Sequence, residues 1–347
     1  MRAAFIEKPG TIRLEEVPVP ECRDHEVLIN VKEVGICGSD LHYFEHGRIG
    51  DHVIREPHIL GHECSGVAVE VGRDVRHLRT GDRVAVEPGV PCFACSACLA
   101  GRYNLCDSVH FLGAPPYHGA FREYLAHDGR FVYPLPDGVS FSQGAMVEPL
   151  AVAYHAVRTA GVLPGQTVLI VGCGPIGFSC LEVLQVAGAA VVIVSEPQEH
   201  RRSTAEAMGA SLVIDPQRED VGEAVREATS GRLCDCALEA SGTAAGVLQA
   251  IAAVRRGGSV ALIGMGESTM SMPHAQILKK QASLHGVYRY ANAYPPVLSL
   301  LEAGRLQGSA WISHRLGLER IQEAMEMSGN GTVDKLKMII TTERTPA

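Results

Sequence analysis

The chain has 347 residues, of which 46% are hydrophobic and 20% charged, and this composition is ordinary for a globular protein. Its formal net charge of −8 disfavours nucleic acid and anionic membranes as partners, because both select basic patches. The length predicts about two domains, and the sequence shows neither a secretory signal nor an apolar run of about 18 residues. We therefore expect a cytoplasmic protein that does not bind a membrane.

Residues 1 to about 155 are predicted to be rich in β-strands. Short apolar runs, such as residues 27–29 and 83–86, are separated by turns of glycine, proline and aspartate. No long helical pattern precedes residue 140.

Four of the eleven cysteines form one tight cluster, Cys92, Cys95, Cys98 and Cys106, which we call the four-cysteine knot. Four thiolates suit tetrahedral zinc, and three of them lie within seven residues, so that a short loop can wrap an ion. A complete set of thiolates leaves no open position, which predicts a structural zinc. Unrelated buried thiols or a disulfide pair are the alternatives, and the spacing argues against them.

Further metal-binding residue types stand in three separate short motifs that contain Cys37, the pair His62 and Glu63, and Glu148. Cysteine, histidine and carboxylate all bind zinc, and three protein ligands plus water are typical of a catalytic site. Each residue alone is weak evidence, because a single cysteine or histidine is more often structural.

The second half of the chain shows a different pattern from about residue 155 onward. Apolar strand candidates alternate with helix-like stretches, which predicts a parallel, doubly wound sheet. The strand candidates are residues 167–171, 190–194, 211–214, 234–238, 259–263 and 284–287. Residues 178–186, 298–303 and 318–327 are predicted to be helices.

A glycine-rich turn, Gly172-x-Gly174-x-x-Gly177, links the first of these strands to a helix and predicts a dinucleotide site. Glu196 lies 19 residues beyond Gly177, at the end of the second strand, where an acid binds the ribose hydroxyls. Its charge favours NAD over NADP, although Arg201 and Arg202 nearby could accept the extra phosphate. The alternative is a glycine-rich helix start that binds no ligand.

The motif around His62 resembles the signature of the zinc-containing alcohol dehydrogenases of the medium-chain dehydrogenase/reductase superfamily. The matching residues are Gly61-His62-Glu63-x2-Gly66-x5-Gly72-x2-Val75. Within that family the chain looks most similar to the sorbitol and xylitol (polyol) dehydrogenase group, and the segment Gly286-Val287-Tyr288-Arg289-Tyr290 carries much of this similarity. The resemblance implies a GroES-like β-rich catalytic domain with a structural-zinc lobe over residues 1–155, a Rossmann NAD-binding domain over 156–290, and a return to the catalytic domain over 291–347.

The resemblance also implies roles for individual residues. Cys37, His62 and Glu63 would bind the catalytic zinc, with Glu148 beside the metal, contacting substrate or zinc-bound water. Ser39 and His42 match a proton relay. The implied substrate-binding residues are Tyr43, Phe111, Glu148, Arg289 and Tyr290. The implied NAD-binding residues are Gly172, Gly174, Pro175, Ile176, Gly177, Glu196, Arg201, Ile263, Gly264, Met265, Val287, Tyr288 and Arg289.

These expectations describe an oxidoreductase with one catalytic zinc, one structural zinc and NAD. It would transfer hydride from a secondary hydroxyl of a polyol to NAD, giving the ketose, and the polar residues expected at the substrate site fit a polyol. L-Threonine dehydrogenase and 2,3-butanediol dehydrogenase are the alternatives within the class, and a non-catalytic relative that keeps NAD and zinc is the alternative outside it. The resemblance implies a homo-oligomer, either a tetramer or a dimer.

Overall fold

The computed structural model describes residues 1–266, 269–329 and 336–343. The chain divides into two compact units. The first contains Met1–Glu148, Tyr294–Gly304 and Ile312–Ala347, and the second contains Pro149–Ala293 and Arg305–Trp311. No helix among the described residues is long and apolar enough to cross a bilayer.

The helices and strands follow one another along the chain in this order: β1 Arg2–Lys8, β2 Thr11–Glu16, β3 Glu26–Gly35, α1 Gly38–His46, β4 Arg48–Ile49, β5 His52–Val53, β6 His58–Ile59, β7 Glu63–Val71, β8 Arg83–Val86, β9 Gly89–Val90, α2 Ser96–Leu99, β10 His110–Phe111, β11 Tyr124–Asp128, β12 Val132–Pro134, α3 Phe141–Ala160, β13 Thr167–Val171, α4 Pro175–Val186, β14 Val191–Ser195, α5 Glu199–Ala207, β15 Leu212–Ile214, α6 Val221–Ala228, β16 Cys234–Glu239, α7 Ala244–Ala253, β17 Val254–Leu262, α8 His274–Lys280, β18 Ser283–Gly286, α9 Tyr294–Glu302, β19 Ile312–Gly317, α10 Ile321–Gly329 and β20 Lys337–Thr341. Short 3-10 helices cover Tyr103–Leu105, Gly129–Phe131 and Leu318–Arg320.

The first unit is built on a mainly antiparallel sheet with the strand order β12-β8-β7-β3-β20-β19, in which β11 also pairs with β3. Apolar side chains of β3, such as Val27, Ile29 and Val31, are completely buried and form part of its core. Gly66 of β7 lies so close to β3 that a Cβ there would overlap the Asn30 carbonyl oxygen. The glycine therefore lets the two central strands approach one another.

The second unit is a parallel sheet with the strand order β15-β14-β13-β16-β17-β18. Strand β13 lies at the centre and is apolar along its length, with Val168, Leu169 and Ile170 fully buried, as expected when helices cover both faces. The strand order reverses between β13 and β16, and ligands bind open α/β sheets at the carboxyl ends of the strands around such a point.

The predicted strands of this unit are present with small shifts in their ends, and β17 begins at Val254, five residues before the predicted start. Among the described residues, the four-residue helix α2 and the longer helices α1 and α3 were not predicted. Helix α1 was missed because its first turn contains glycine, serine and aspartate, which are poor helix formers. Helix α3 runs through the expected change near residue 155 and contains Pro149 in its interior, a residue that normally indicates a helix end.

Candidate active site and metal centres

Three candidate ligands of the catalytic metal lie together in the first unit. The ligand atoms of Cys37, His62 and Glu63 are all within 4.8 Å of one another, and we call these residues the three-residue group. Cys37 lies between β3 and α1, His62 directly precedes β7, and Glu63 is the first residue of β7. His62 and Glu63 are buried. A thiol, an imidazole and a carboxylate gathered in this way fit a zinc ion, because each is a zinc ligand in proteins.

Asp40 connects two parts of this group, although the sequence did not single it out. Its Oδ2 accepts the Cys37 backbone N–H at 2.9 Å, and its Oδ1 accepts the Gly61 backbone N–H at 3.0 Å. Oδ1 also lies 3.6 Å from His62 Nδ1. Burial lowers the pKa of His62, but the charges of Asp40 and Cys37 outweigh burial and raise this pKa well above its usual value. Asp40 therefore orients the imidazole and joins the two loops.

Lys337 is the second residue that the sequence did not reveal. Its Nζ donates a hydrogen bond to Glu63 Oε1 at 2.7 Å and also contacts Oε2. Burial lowers the pKa of Lys337, but the charges of Glu63, Cys37 and Glu148 raise it above its usual value. The ammonium form is therefore favoured inside the protein. No local pattern could have indicated this pair, because its members are 274 positions apart.

The other candidate catalytic and substrate residues of the first unit lie on α1, on β10 and in α3. Glu148 is buried in α3 and is not a member of the group. On helix α1, Ser39 is half-buried, His42 is exposed and Tyr43 is buried. The ring of Phe111 lies 5.5 Å from the ring of His62, measured between centroids.

The four cysteines of the knot also come together. Their sulfur atoms all lie within 4.8 Å of one another, with 3.4 Å between those of Cys95 and Cys98. Hydrogen bonds from the backbone N–H groups of Ala94 and Cys95 lower the pKa of the Cys92 thiol, whereas burial and the neighbouring sulfur atoms raise the pKa of the Cys98 thiol. All eleven cysteines are free of disulfides. Four sulfur donors suit zinc and leave no position for a substrate.

In the second unit, the glycine-rich turn between β13 and α4 gives each glycine a different environment. Gly172 has a φ of 85°, which glycine adopts readily. A Cβ on Gly177 would overlap the Gly172 carbonyl oxygen. A Cβ on Gly174, in contrast, would have only Arg201 Nη1 within 4 Å, at 3.7 Å. The turn therefore leaves open space beside Gly174 at the N-terminus of α4, where a dinucleotide phosphate fits.

Glu196 lies directly after β14, as predicted, and is 2% exposed. Its Oε2 accepts the Cys173 N–H at 2.7 Å, and its Oε1 accepts the Gln198 N–H at 2.9 Å. Arg201 Nη1 is 3.9 Å from Oε2. Arg202 donates to the Glu196 carbonyl at 2.9 Å and pairs with Asp215 at 3.1 Å. Because Arg202 is already engaged by these two groups, it is less available to bind a 2′-phosphate.

Glu239, at the end of β16, is a third residue that the sequence analysis did not identify. Its Oε1 accepts the backbone N–H groups of Ser241 at 2.8 Å and Gly242 at 3.0 Å. Its carbonyl oxygen accepts the N–H groups of Ile263 at 2.8 Å and Gly264 at 3.0 Å. Glu239 thereby connects the loops that follow β16 and β17, beside the glycine-rich turn.

The remaining candidate cofactor and substrate residues of this unit lie after β17 and β18. Met265 and Tyr288 are exposed, and Tyr290 is buried. Arg289 has a φ of 53°, and its guanidinium carbon lies 4.8 Å from the centroid of the Tyr288 ring. The Val287 N–H donates to the Leu262 carbonyl at 2.9 Å.

Models of known protein families match residues in both units. Residues 23–137 match the alcohol dehydrogenase GroES-like domain, and residues 175–303 match the zinc-binding dehydrogenase domain. A sorbitol dehydrogenase from Bacillus subtilis (strain 168) is 39% identical over 347 residues, covering 99% of this chain and 98% of the relative.

Two solved structures also match over 99% of both chains. An Escherichia coli oxidoreductase/dehydrogenase of unknown specificity involved in membrane biogenesis has a TM-score of 0.95 at 36% identity. The 2R,3R-butanediol dehydrogenase of Bacillus subtilis has a TM-score of 0.90 at 33% identity.

The fold and the two clusters of ligand residues define the class of protein as a zinc-binding dehydrogenase with a GroES-like unit and a Rossmann unit. Within this class, the chain belongs to the zinc-containing medium-chain dehydrogenases of the sorbitol dehydrogenase group. The predicted fold class and family are confirmed.

Proposed function

We propose that the protein oxidises a secondary hydroxyl of a polyol similar to sorbitol or xylitol, transfers the hydride to NAD and releases the ketose. The observation that carries this proposal is the three-residue group, in which His62 and Glu63 are buried and a carboxylate accompanies the thiol and the imidazole. The sorbitol dehydrogenase that matches nearly the whole chain supports the same reaction.

The three-residue group would hold the catalytic zinc, and the four-cysteine knot would hold the structural zinc. The catalytic ion supplies Lewis acidity, which lowers the pKa of a substrate hydroxyl. Asp40 keeps His62 in the orientation for binding. The buried carboxylate of Glu148 would accept a substrate proton or hydrogen bond, and half-buried Ser39 and exposed His42 of α1 would offer a second route to solvent.

The substrate would contact Tyr43, Phe111, Glu148, Arg289 and Tyr290, of which Phe111 already lies against His62. NAD would bind at the glycine-rich turn, with its pyrophosphate beside Gly174 and its adenosine ribose at Glu196. The other cofactor residues would be Gly172, Pro175, Ile176, Gly177, Arg201, Ile263, Gly264, Met265, Val287, Tyr288 and Arg289. Because Glu196 Oε2 accepts the Cys173 N–H of the turn and the charge of Glu196 opposes a 2′-phosphate, we expect NAD to be preferred.

A substrate panel tests the proposed reaction. The zinc-loaded protein is assayed for NADH formation with sorbitol, xylitol, L-threonine and 2,3-butanediol, and each reaction is repeated with NADP. We expect the highest kcat/KM with a polyol and NAD. The matched control is Cys37→Ser, which keeps the size of the side chain but removes the thiolate.

Butanediol is the second candidate substrate, because a butanediol dehydrogenase shares the fold over 99% of both chains. A higher kcat/KM with 2,3-butanediol than with either polyol would replace the proposed substrate. Absence of NADH formation with every compound would support a non-catalytic relative.

We further propose that residues 1–155 and 291–347 form the catalytic domain, that residues 156–290 form the NAD-binding domain, and that the protein is a cytoplasmic homo-oligomer. Strand β18 is at one edge of the parallel sheet, and Leu278 of the preceding helix is 66% exposed. An edge strand beside exposed apolar side chains favours pairing with a second copy. Sedimentation equilibrium distinguishes a dimer or tetramer from a monomer.

A further inference from the structure

Lys337 and Glu63 form a buried ion pair at the edge of the three-residue group. The side chains of both residues are 1% exposed. An ammonium and a carboxylate so completely removed from water are tolerated because each neutralises the other. Glu63 is at the same time close enough to Cys37 and His62 to bind the same metal ion. The Glu63 carboxylate would therefore contact two cations at once, the Lys337 ammonium and the metal ion.

The position of the pair depends on a glycine. Gly35 lies in β3, where its Cα pairs with Glu63 of β7 on one side and with Ile339 of β20 on the other. A Cβ on Gly35 would overlap Glu63 Oε2 and lie 3.0 Å from Lys337 Cε. The missing side chain therefore leaves the space in which the lysine and the glutamate meet above the central strand.

We propose that Lys337 is a positioning residue for the metal site, since its ammonium contacts both oxygens of the Glu63 carboxylate and holds this group over Gly35, in reach of the ion that Cys37 and His62 would bind. This inference rests on the proposed function, because it requires the three-residue group to bind zinc. A carboxylate accepts several hydrogen bonds or metal bonds, so a contact with lysine does not prevent it from serving as a ligand.

Lys337 also balances charge. The thiolate of Cys37 and the carboxylates of Glu63, Asp40 and Glu148 all lie in or near this part of the first unit, and a buried anion without a partner is costly. Without the ammonium, the Glu63 carboxylate would lose the cation that fixes its orientation before the metal arrives. Partners that orient a ligand in this way typically change metal affinity 10- to 100-fold when they are removed.

The test compares wild type with Lys337→Met, Lys337→Arg, Glu63→Gln and the double variant Lys337→Met/Glu63→Gln. The readouts are the rate of zinc release to a chelator from the full-length protein and the visible absorption spectrum after Co²⁺ replaces the catalytic zinc. We expect release about 10-fold faster or more in Lys337→Met, with a cobalt spectrum shifted toward that of Glu63→Gln. Lys337→Arg keeps the charge and should stay within about 3-fold of wild type.

The double variant separates a positioning role from general damage. If Lys337 acts through Glu63, Lys337→Met adds nothing to the release rate in the Glu63→Gln background. Retention of the second zinc by the four-cysteine knot shows that each variant is folded. Should Lys337→Met fail to fold, Gly35→Ala provides a second test, because it displaces the carboxylate without changing any charge and should also speed release.

Wild-type release and an unchanged cobalt spectrum in Lys337→Met would overturn the inference, as would full additivity in the double variant. Neither result would affect the proposed function, which depends on wild type carrying two zinc ions per chain and forming NADH from a polyol. If wild type carried zinc only in the four-cysteine knot, the proposed function itself would fail.

Discussion

Two alanine substitutions in the glycine-rich turn can distinguish an effect on cofactor binding from an effect on folding. Each adds one methyl group, Gly174→Ala and Gly177→Ala. At Gly174, the φ of −77° and ψ of −166° are allowed for alanine, and the nearest atom to the new Cβ is Arg201 Nη1 at 3.7 Å. We therefore expect the stability of Gly174→Ala to remain within about 0.5 kcal/mol of wild type.

The same methyl group would occupy the space into which the cofactor pyrophosphate must come. Steric overlap in a well-packed site typically costs about 1–3 kcal/mol, which corresponds to a 5- to 150-fold weaker affinity for NADH. At Gly177, the methyl group would overlap the Gly172 carbonyl oxygen, so the turn itself must shift. Gly177→Ala should therefore lose about 1–3 kcal/mol of folding stability and bind NADH poorly as well.

Thermal unfolding followed by circular dichroism measures the stability, and titration of NADH fluorescence measures the affinity. Metal analysis provides the control, because both variants should keep two zinc ions per chain. If Gly174→Ala bound NADH as tightly as wild type, or lost as much stability as Gly177→Ala, the assignment of Gly174 to the phosphate site would be refuted.

Three further outcomes follow from the first unit. Mild chelation should remove zinc from the three-residue group before the four-cysteine knot, because a carboxylate holds zinc less tightly than a thiolate, and simultaneous loss of both ions in metal analysis would contradict this. Asp40→Asn should lower kcat/KM by about 10- to 100-fold through disorientation of His62, whereas an unchanged steady-state rate would remove Asp40 from the site. Burial raises the pKa of Glu87 from 4.5 to about 7, against hydrogen bonds from Tyr103 and Tyr133 that lower it. Because the unfolded carboxyl ionises first as pH rises, wild type should lose up to about 3 kcal/mol between about pH 4.5 and 7 relative to Glu87→Gln, and parallel stability curves in denaturant titrations would exclude this.

Some residues of the site could be found from the sequence because their signals are local. The four-cysteine knot and the glycine-rich turn are short patterns in which spacing alone limits the geometry. Glu196 follows from the length of one βαβ unit. Cys37, His62 and Glu63 needed the family resemblance, since they lie on two different segments and each residue type alone is common.

The amino-acid sequence by itself determined the parallel sheet of the second unit, the four-cysteine knot and the glycine-rich turn, because these depend on periodicity and short spacings. Only the tertiary structure showed that Lys337 meets Glu63 above Gly35, that Asp40 joins the loops of Cys37 and Gly61, and that Asp215 engages Arg202. The physical reason is that strand pairing brings together residues far apart in the chain. Burial then makes each unpaired charge costly, and no local pattern records which distant residue supplies its partner.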